Sequence, residues 1–393
     1  MKTSAVLHPD APLWELAFRP LFLLAAILAV VAILVWLGWL DAFWNGAGLR
    51  WSPLYWHVHE MLFGFGFTVA AGFLLTAAQS WTGQRSLHGY GLQTLVLLWI
   101  LLRMLLWSSL PLLVLVVLQS SWWLLVICAM ARMLIVARSK RNYLFLPILA
   151  VIALLQLAFI VLAEHQSGLA LHVARTAILV FCLIIGVVAG RVVPMFTRNA
   201  VASERVQSTP VADRVLLLLS ALAAICYLLS ALYQMPINPG FSMIVIAHIH
   251  LYRLGHWGGW YSRNEALLWS LHLAYLALAI GLALTGMALL TGWIAVADAL
   301  HLLTVGAIGF LIMSMMARVS LGHTGRPLRA HRLIQLALCL LLFAAAVRLL
   351  LPILSWPQLG WNLSGLLWAT AFLLFLRVYV PILVAPRRGL GHS

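Results

Sequence analysis

Charge is what this chain has least of. Only 8% of its 393 residues are Asp, Glu, Lys or Arg, and nine are acidic, whereas 64% are hydrophobic. No water-soluble core can bury that much apolar side chain, so the composition excludes a soluble globular domain and a disordered one. Soluble-enzyme signatures are missing too. There is no phosphate-binding glycine loop, no HExxH helix and no nucleophile elbow, which removes the nucleotide-dependent, zinc-peptidase and serine-hydrolase classes. Cys128, Cys182, Cys226 and Cys339 form no CxxC and fall inside apolar runs, where they read as small buried hydrophobes. No Pro-rich or Gly/Ser-rich stretch marks a linker. The net charge of +15 sits in short connectors between apolar runs, the pattern of membrane topology rather than of nucleic-acid binding.

What is there is a series of apolar runs of spanning length. After a polar lead over 1–17, the run at 18–40 is too long for a signal-peptide core and reads as a retained anchor. Helices are expected at about 55–79, 90–107, 110–136, 143–164 and 169–196. After a polar connector at 197–213, six more follow at about 214–235, 238–256, 264–290, 297–319, 331–351 and 361–384. The expected fold is therefore all-α, one polytopic transmembrane domain over 1–393 with about twelve spans. Helices 1–6 (1–196) and 7–12 (214–393) flank the 197–213 loop. One set of connectors carries Arg85, Arg138, Lys140, Arg141, Arg198, Arg205, Arg214, Arg253, Arg263, Arg318, Arg326, Arg329 and Arg332, with Arg387 and Arg388 in the tail. The opposite set carries only Arg50 and Arg348. The positive-inside rule then places both termini in the cytoplasm.

The chemistry concentrates in histidine. The stretch from Trp56 to Gly83 opens with His57, His59 and Glu60 and continues without charge from Leu62 to Ala78. Ionisable groups at the mouth of a spanning helix are costly without a partner, a metal or a task. With the expected topology, His57, His59, His172 and His301 lie near the outer ends of helices two, six and ten. His248 and His250 lie midway along helix eight, and His272 lies in the first half of helix nine. A single histidine in a span can simply hydrogen-bond a neighbouring helix. Several at similar depth, with almost no carboxylates to pair with, favour metal or haem ligation. His88, His256, His323, His331 and His392 fall at the cytoplasmic side and read as solvated.

An internal repeat refines this reading. His59 precedes Gly64 and Thr82-Gly83, and His301 precedes Gly306 and Thr324-Gly325, with identical His-to-Thr offsets (82 − 59 = 23; 324 − 301 = 23). Both helices run inward, so the two imidazoles are expected at one depth, without an acidic partner for either, as paired axial ligands of a haem. Arg175, near His172, could pair a haem propionate. Glu60 could orient the His59 imidazole or relay protons, or could merely favour the helix dipole from a first turn. The pairs 57/59 and 248/250 point to opposite helix faces, so each could share one metal only where the helix is frayed, as Pro53 would permit for the first. Gly64, Gly66 and Gly72 allow close approach of a helix or of a flat macrocycle. Met313, Met315 and Met316 read as packing, and the tryptophans as interfacial belts and core.

Several stretches resemble the NnrS family. They are Arg19-Pro20-Leu21-Phe22, His57-x-His59-Glu60-Met61 with Phe63-Gly64-Phe65, Ala71-Gly72-Phe73-Leu74-Leu75-Thr76-Ala77 and Trp81-Thr82-Gly83. Gly190-Arg191, Pro194 to Asn199 and Leu321-Gly322-His323-Thr324-Gly325-Arg326-Pro327 continue the match. The resemblance implies a polytopic protein of the bacterial inner membrane that contains haem and copper and serves nitric oxide metabolism and protection from nitrosative stress. It implies no ligand assignment.

Three functions fit these expectations. The first is a haem- and copper-binding protein that binds or transforms nitric oxide, with oxidoreductase turnover left open. The second is a transporter or trafficking factor for haem, metal or a denitrification intermediate. The third is a haem-bearing accessory subunit or sensor. Partners are nitric oxide or a related small molecule, the lipid bilayer and an electron donor the sequence does not name; nucleic acid is excluded. The topology is checked by cysteine substitution in a cysteine-free background. A membrane-impermeant reagent should label Asn45→Cys in intact cells and leave Ser208→Cys unlabelled; the reverse pattern would invert the depth of every histidine.

Overall fold

The computed structural model describes residues 7–165, 167–201, 206–233 and 238–389, and among them there is no β-strand. Helices follow the apolar runs in order: α1 Phe18–Leu40, α2 Pro53–Thr82, α3 Gly89–Leu105, α4 Leu112–Val136, α5 Phe145–Ala163, α6 Gly168–Val201, α7 Pro210–Tyr233, α8 Gly240–His256, α9 Ala266–Thr291, α10 Val296–His323, α11 Arg332–Ile353 and α12 Pro357–Leu383. Ten are long and apolar enough to cross a membrane; α3 and α8, with 17 residues each, are shorter. Terminators are local. Pro53 starts α2 where its missing N–H costs nothing, and Gly83, Gly258 and Gly292 take left-handed φ near +67° just past helix ends.

Two differences from the expected spans matter. The 197–213 connector is shorter than its polar residues imply. Thr197 is fully buried inside α6, which continues to Val201, and α7 begins at Pro210. Its Glu204 and Arg205 lie outside the described residues. In addition, Arg253 and Arg348, expected as connector charges, are buried within α8 and α11. A buried guanidinium in a spanning helix demands a partner, and both have one.

The chain divides into two compact units. The first comprises 1–174, 319–327 and 376–393, the second 175–318 and 328–375. In the first, α2 packs on α1 and α4. Phe18, Leu21, Phe22 and Ala25 of α1 are sealed from solvent, and Gly72 lets α1 in, since a Cβ there would stand 3.1 Å from Leu21 Cβ. Arg19, also fully buried, caps the end of α12 through Nη1 to the carbonyls of Leu383 (3.1 Å) and Ala385 (2.7 Å). In the second unit α8 packs along α9, and α10 along α9 and α11. Met313, Met315 and Met316 are buried there, as packing requires. The cysteines correct the expectation in part. Cys182 alone is buried, Cys226 is half-buried, Cys128 and Cys339 are exposed on the helix surface, and all four are unpaired.

Both α2 and α10 depart from α-helical geometry at one equivalent place. Glu60–Gly66 and Leu302–Gly309 are π-helical, each beginning on the residue after the repeat histidine. Phe67 N–H bonds the carbonyl of Leu62, and Phe310 N–H that of Val305, both five residues back. A π turn inserts a residue into the helix and re-aims the side chains before it, and it persists where a site needs that aim.

Close packing yields a stability test. A Cβ at Gly190 in α6 would collide with Arg253 Nη2, whereas one at Gly168 meets nothing within 4 Å. Gly190→Ala should cost about 1–3 kcal/mol of overpacking and lower the melting temperature of the detergent-solubilised protein, while Gly168→Ala should leave it unchanged.

Candidate functional site

His59 is fully buried in the first unit, ringed by Trp51 (5.4 Å between ring centroids), Phe63 (5.6 Å) and Phe159 (5.9 Å). Trp51 is fixed in turn, because its Nε1 donates to Glu164 Oε2 (3.1 Å) and Arg50 pairs with the same carboxylate at 2.8 Å. Trp, an obligate donor, sets the polarity of the chain through the imidazole. Trp123 Nε1 on α4 donates to Gln156 Oε1 on α5 (2.7 Å), which turns the amide nitrogen of Gln156 toward His59 Nε2 at 3.0 Å. The amide donates, so Nε2 carries the lone pair and Nδ1 the proton. Nδ1–H then donates to Glu60 Oε1 at 2.8 Å. The second carboxylate oxygen lies 3.3 Å from Arg103 Nε on α3. A neutral imidazole thus leans on a carboxylate whose charge a guanidinium balances, all within apolar helices.

Gly64 makes this assembly possible. A Cβ there would stand 2.9 Å from Arg103 Nη1 and 3.2 Å from Glu60 Oε1. Glu60 is the eighth residue of α2 and is buried, so it lies beyond the first turn, where a helix dipole would favour it.

The second unit holds a counterpart. His301 is half-buried, with Nδ1 at 2.6 Å from the Ala297 carbonyl and 3.0 Å from Arg348 Nη2. The carbonyl asks for a proton on Nδ1 and the guanidinium asks for a lone pair there, so these two contacts do not fix the tautomer of His301. Arg348 Nη1 pairs with Asp298 Oδ1 at 2.6 Å. Gly306 brings α11 close, since a Cβ there would lie 3.2 Å from Ala345 Cβ. Each unit therefore has a histidine, a carboxylate and an arginine, with a π-helical segment after the histidine and a glycine five residues on. The expectation that neither histidine has an acidic partner is corrected: Glu60 contacts His59 directly, and Asp298 reaches His301 through Arg348.

The other candidates lie apart. His57 stacks on Trp36 at 4.4 Å, pointing away from His59, and α2 is not frayed there. His172 is half-buried near the start of α6, and Arg175 hydrogen-bonds Tyr227. His250 is buried with Nδ1 at 2.6 Å from the Tyr275 hydroxyl. Arg253 also donates to that oxygen, so the tyrosine proton goes to His250 Nδ1 and Nε2 is the protonated nitrogen. Arg253 further pairs with Asp213 (2.9 Å) and donates to the Gly186 carbonyl (2.9 Å). His272 Nε2 lies 3.0 Å from Thr197 Oγ1, whose own proton goes to the Val193 carbonyl, so His272 donates and its buried Nδ1 keeps a lone pair without a hydrogen-bond partner among the described residues. His248 faces outward. Among the described residues, no three His, Cys, Asp or Glu side chains stand close enough to share a metal ion.

Sequence reasoning missed Gln156, Arg103, Arg253 and the pairing of Arg348. A signal existed for two of them. Arg103 and Arg348 interrupt the third and eleventh runs 245 residues apart (348 − 103), against 242 for the histidines (301 − 59). Nothing in the sequence marks Gln156.

The fold and site define a polytopic α-helical membrane protein with a histidine–carboxylate–arginine group in each unit, buried at His59 and half-buried at His301. A family model described as "NnrS protein" matches residues 12–387, nearly the whole chain, and the protein belongs to that family. No curated protein matches it.

The Glu60–Arg103 pair has a direct test. Arg103→Leu leaves a buried carboxylate uncompensated and should cost about 3–5 kcal/mol, read as a lower melting temperature. Adding Glu60→Gln should restore most of the loss. No restoration would mean that Arg103 acts through packing rather than charge.

Proposed function

We propose that this chain is a haem- and copper-binding protein of the bacterial inner membrane, with twelve spans and both termini cytoplasmic, that binds or transforms nitric oxide in nitrosative-stress protection. Family membership supports the link to nitric oxide. The observation that carries the haem assignment is the His59 tautomer. An imidazole whose Nδ1–H is held by a carboxylate, with the lone pair on Nε2, is the form in which histidine ligates a metal. Glu60 fixes the ring plane and makes Nε2 a stronger donor, and Arg103 pairs with that carboxylate. His301 turns Nδ1 toward the Ala297 carbonyl and Arg348, so Nε2 is the nitrogen it would offer. That both serve one iron rests on their equal offset to Thr-Gly in the sequence.

The donor sets fit haem better than copper. The His59 lone pair now accepts from the Gln156 amide, which must yield to iron. Copper rests on the family resemblance. A bound haem would supply a redox-active iron there, while Trp51, Phe63 and Phe159 exclude water from the His59 imidazole. Two imidazoles would saturate that iron, so a centre that coordinates nitric oxide would use other histidines, with His172, His248, His250 and His272 as candidates.

Haem quantification and low-temperature spectra on membrane-inserted variants provide the test. His59→Ala and His301→Ala should each remove the same low-spin haem, and His323→Ala should retain it. Loss of different cofactors, or full low-spin haem in either variant, would refute the pairing. Purified protein with neither haem nor copper would favour transport or trafficking instead.

A further inference from the structure

His248 takes no part in the His59 or His301 networks, and its position is unusual. It is the central residue of α8, eight residues from Gly240 and eight from His256, and it is exposed on the helix surface. Each interval spans about 12 Å of helix, so an imidazole faces outward midway along α8. Ionisable side chains in spanning helices almost always face the bundle interior or a water-filled cavity.

The surface around it is concave. A groove of about 640 Å³ runs between α7 and α8, walled by Val211, Val215, Phe241, Val245 and Ile249, with His248 and Tyr252 as its polar members. From Phe241 to Tyr252 it follows twelve residues of α8, about 16 Å. Its volume lies in the range of small-molecule sites, about 300–1,000 Å³. His248 Nδ1 is committed to the Ile244 carbonyl at 2.8 Å, and a carbonyl only accepts, so Nε2 holds the lone pair. Tyr252, one turn on and exposed, brings a hydroxyl that can donate or accept. Residues four apart on a helix stand about 5–6 Å apart at Cβ, comparable to a six-membered ring with oxygens at opposite ends.

From this placement we propose that the α7–α8 groove binds a prenylated quinol or quinone. Its ring oxygens are bonded by His248 Nε2 and the Tyr252 hydroxyl, and its isoprenoid tail lies along Val245 and Phe241. A quinol O–H meets the histidine acceptor, and a quinone carbonyl meets the tyrosine donor. A thread-like tail fills a groove between two helices, whereas a phospholipid acyl chain would cover the same wall without a donor for Nε2. A second copy of this chain would need to bring a donor into a concavity that a flat helix face leaves unfilled. The site does not depend on haem being bound, so its failure and that of the cofactor assignment are separable.

The experiment uses full-length protein in quinone-free lipid nanodiscs and an azido-ubiquinone photoprobe, with the labelled peptides mapped by mass spectrometry. Wild type should label within 211–215 or 241–252, and unlabelled decylubiquinone should compete the label away. His248→Leu, which keeps the groove apolar, should lower labelling at least fivefold, and Val245→Trp, which fills it, should abolish labelling. Label that maps elsewhere or resists competition in the wild type overturns the proposal without any variant. So does His248→Leu labelling at the wild-type level, or a wild-type dimer by light scattering that cross-links through this face.

Discussion

The structure depends on holding a carboxylate and a guanidinium inside apolar helices beside one imidazole. A buried charge without a partner costs several kcal/mol, about 3–5 when a pair is broken. The residues around Glu60 answer that cost one by one. Arg103 neutralises it, His59 Nδ1–H satisfies one oxygen, and Gly64 removes the side chain that would keep them apart. The order of donors and acceptors then propagates outward. Trp123 can only donate, which orients Gln156, which fixes the His59 tautomer. Four helices, α2 to α5, are thereby tied to the state of one ring.

The second unit solves the same problem with different spacing. Asp298 lies three residues before His301, whereas Glu60 follows His59 by one, so the carboxylate reaches its histidine through Arg348 instead of directly. The shared parts are the π-helical segment, the glycine five residues on and an arginine from the following helix. They are the parts that aim a side chain and admit a neighbour. Around His250 and Arg253 a third buried network repeats the principle with tyrosine as the hub, and there the tautomer is reversed. Histidines of equal apparent promise in the sequence therefore differ in chemistry, because their neighbours decide which nitrogen keeps the lone pair.

Much of this was legible in advance. Apolar run length located the helices because the bilayer sets a length that sequence composition must meet. The His59/His301 offset marked the two places where π-helical turns occur among the described residues. What stayed hidden came from tertiary approach. Gln156 is an ordinary polar residue in an apolar run until α4 and α5 bring Trp123 and His59 to its two ends. Arg253 and Arg348 sit close enough to helix ends to pass for loop charges in a count, and only packing shows their partners. The cysteines misled in the opposite sense, since an apolar run has an outward face where Cys128 and Cys339 can point at lipid.

The central claim is that His59, prepared by Glu60 and released by Gln156, is a haem ligand. An experimental structure of the cofactor-loaded protein isolated from its native membrane tests it most directly. The account predicts iron on His59 Nε2, the Gln156 amide displaced from that nitrogen, and the His59 Nδ1–Glu60 contact unchanged. Haem ligated by other residues, with Gln156 still donating to His59, would contradict it.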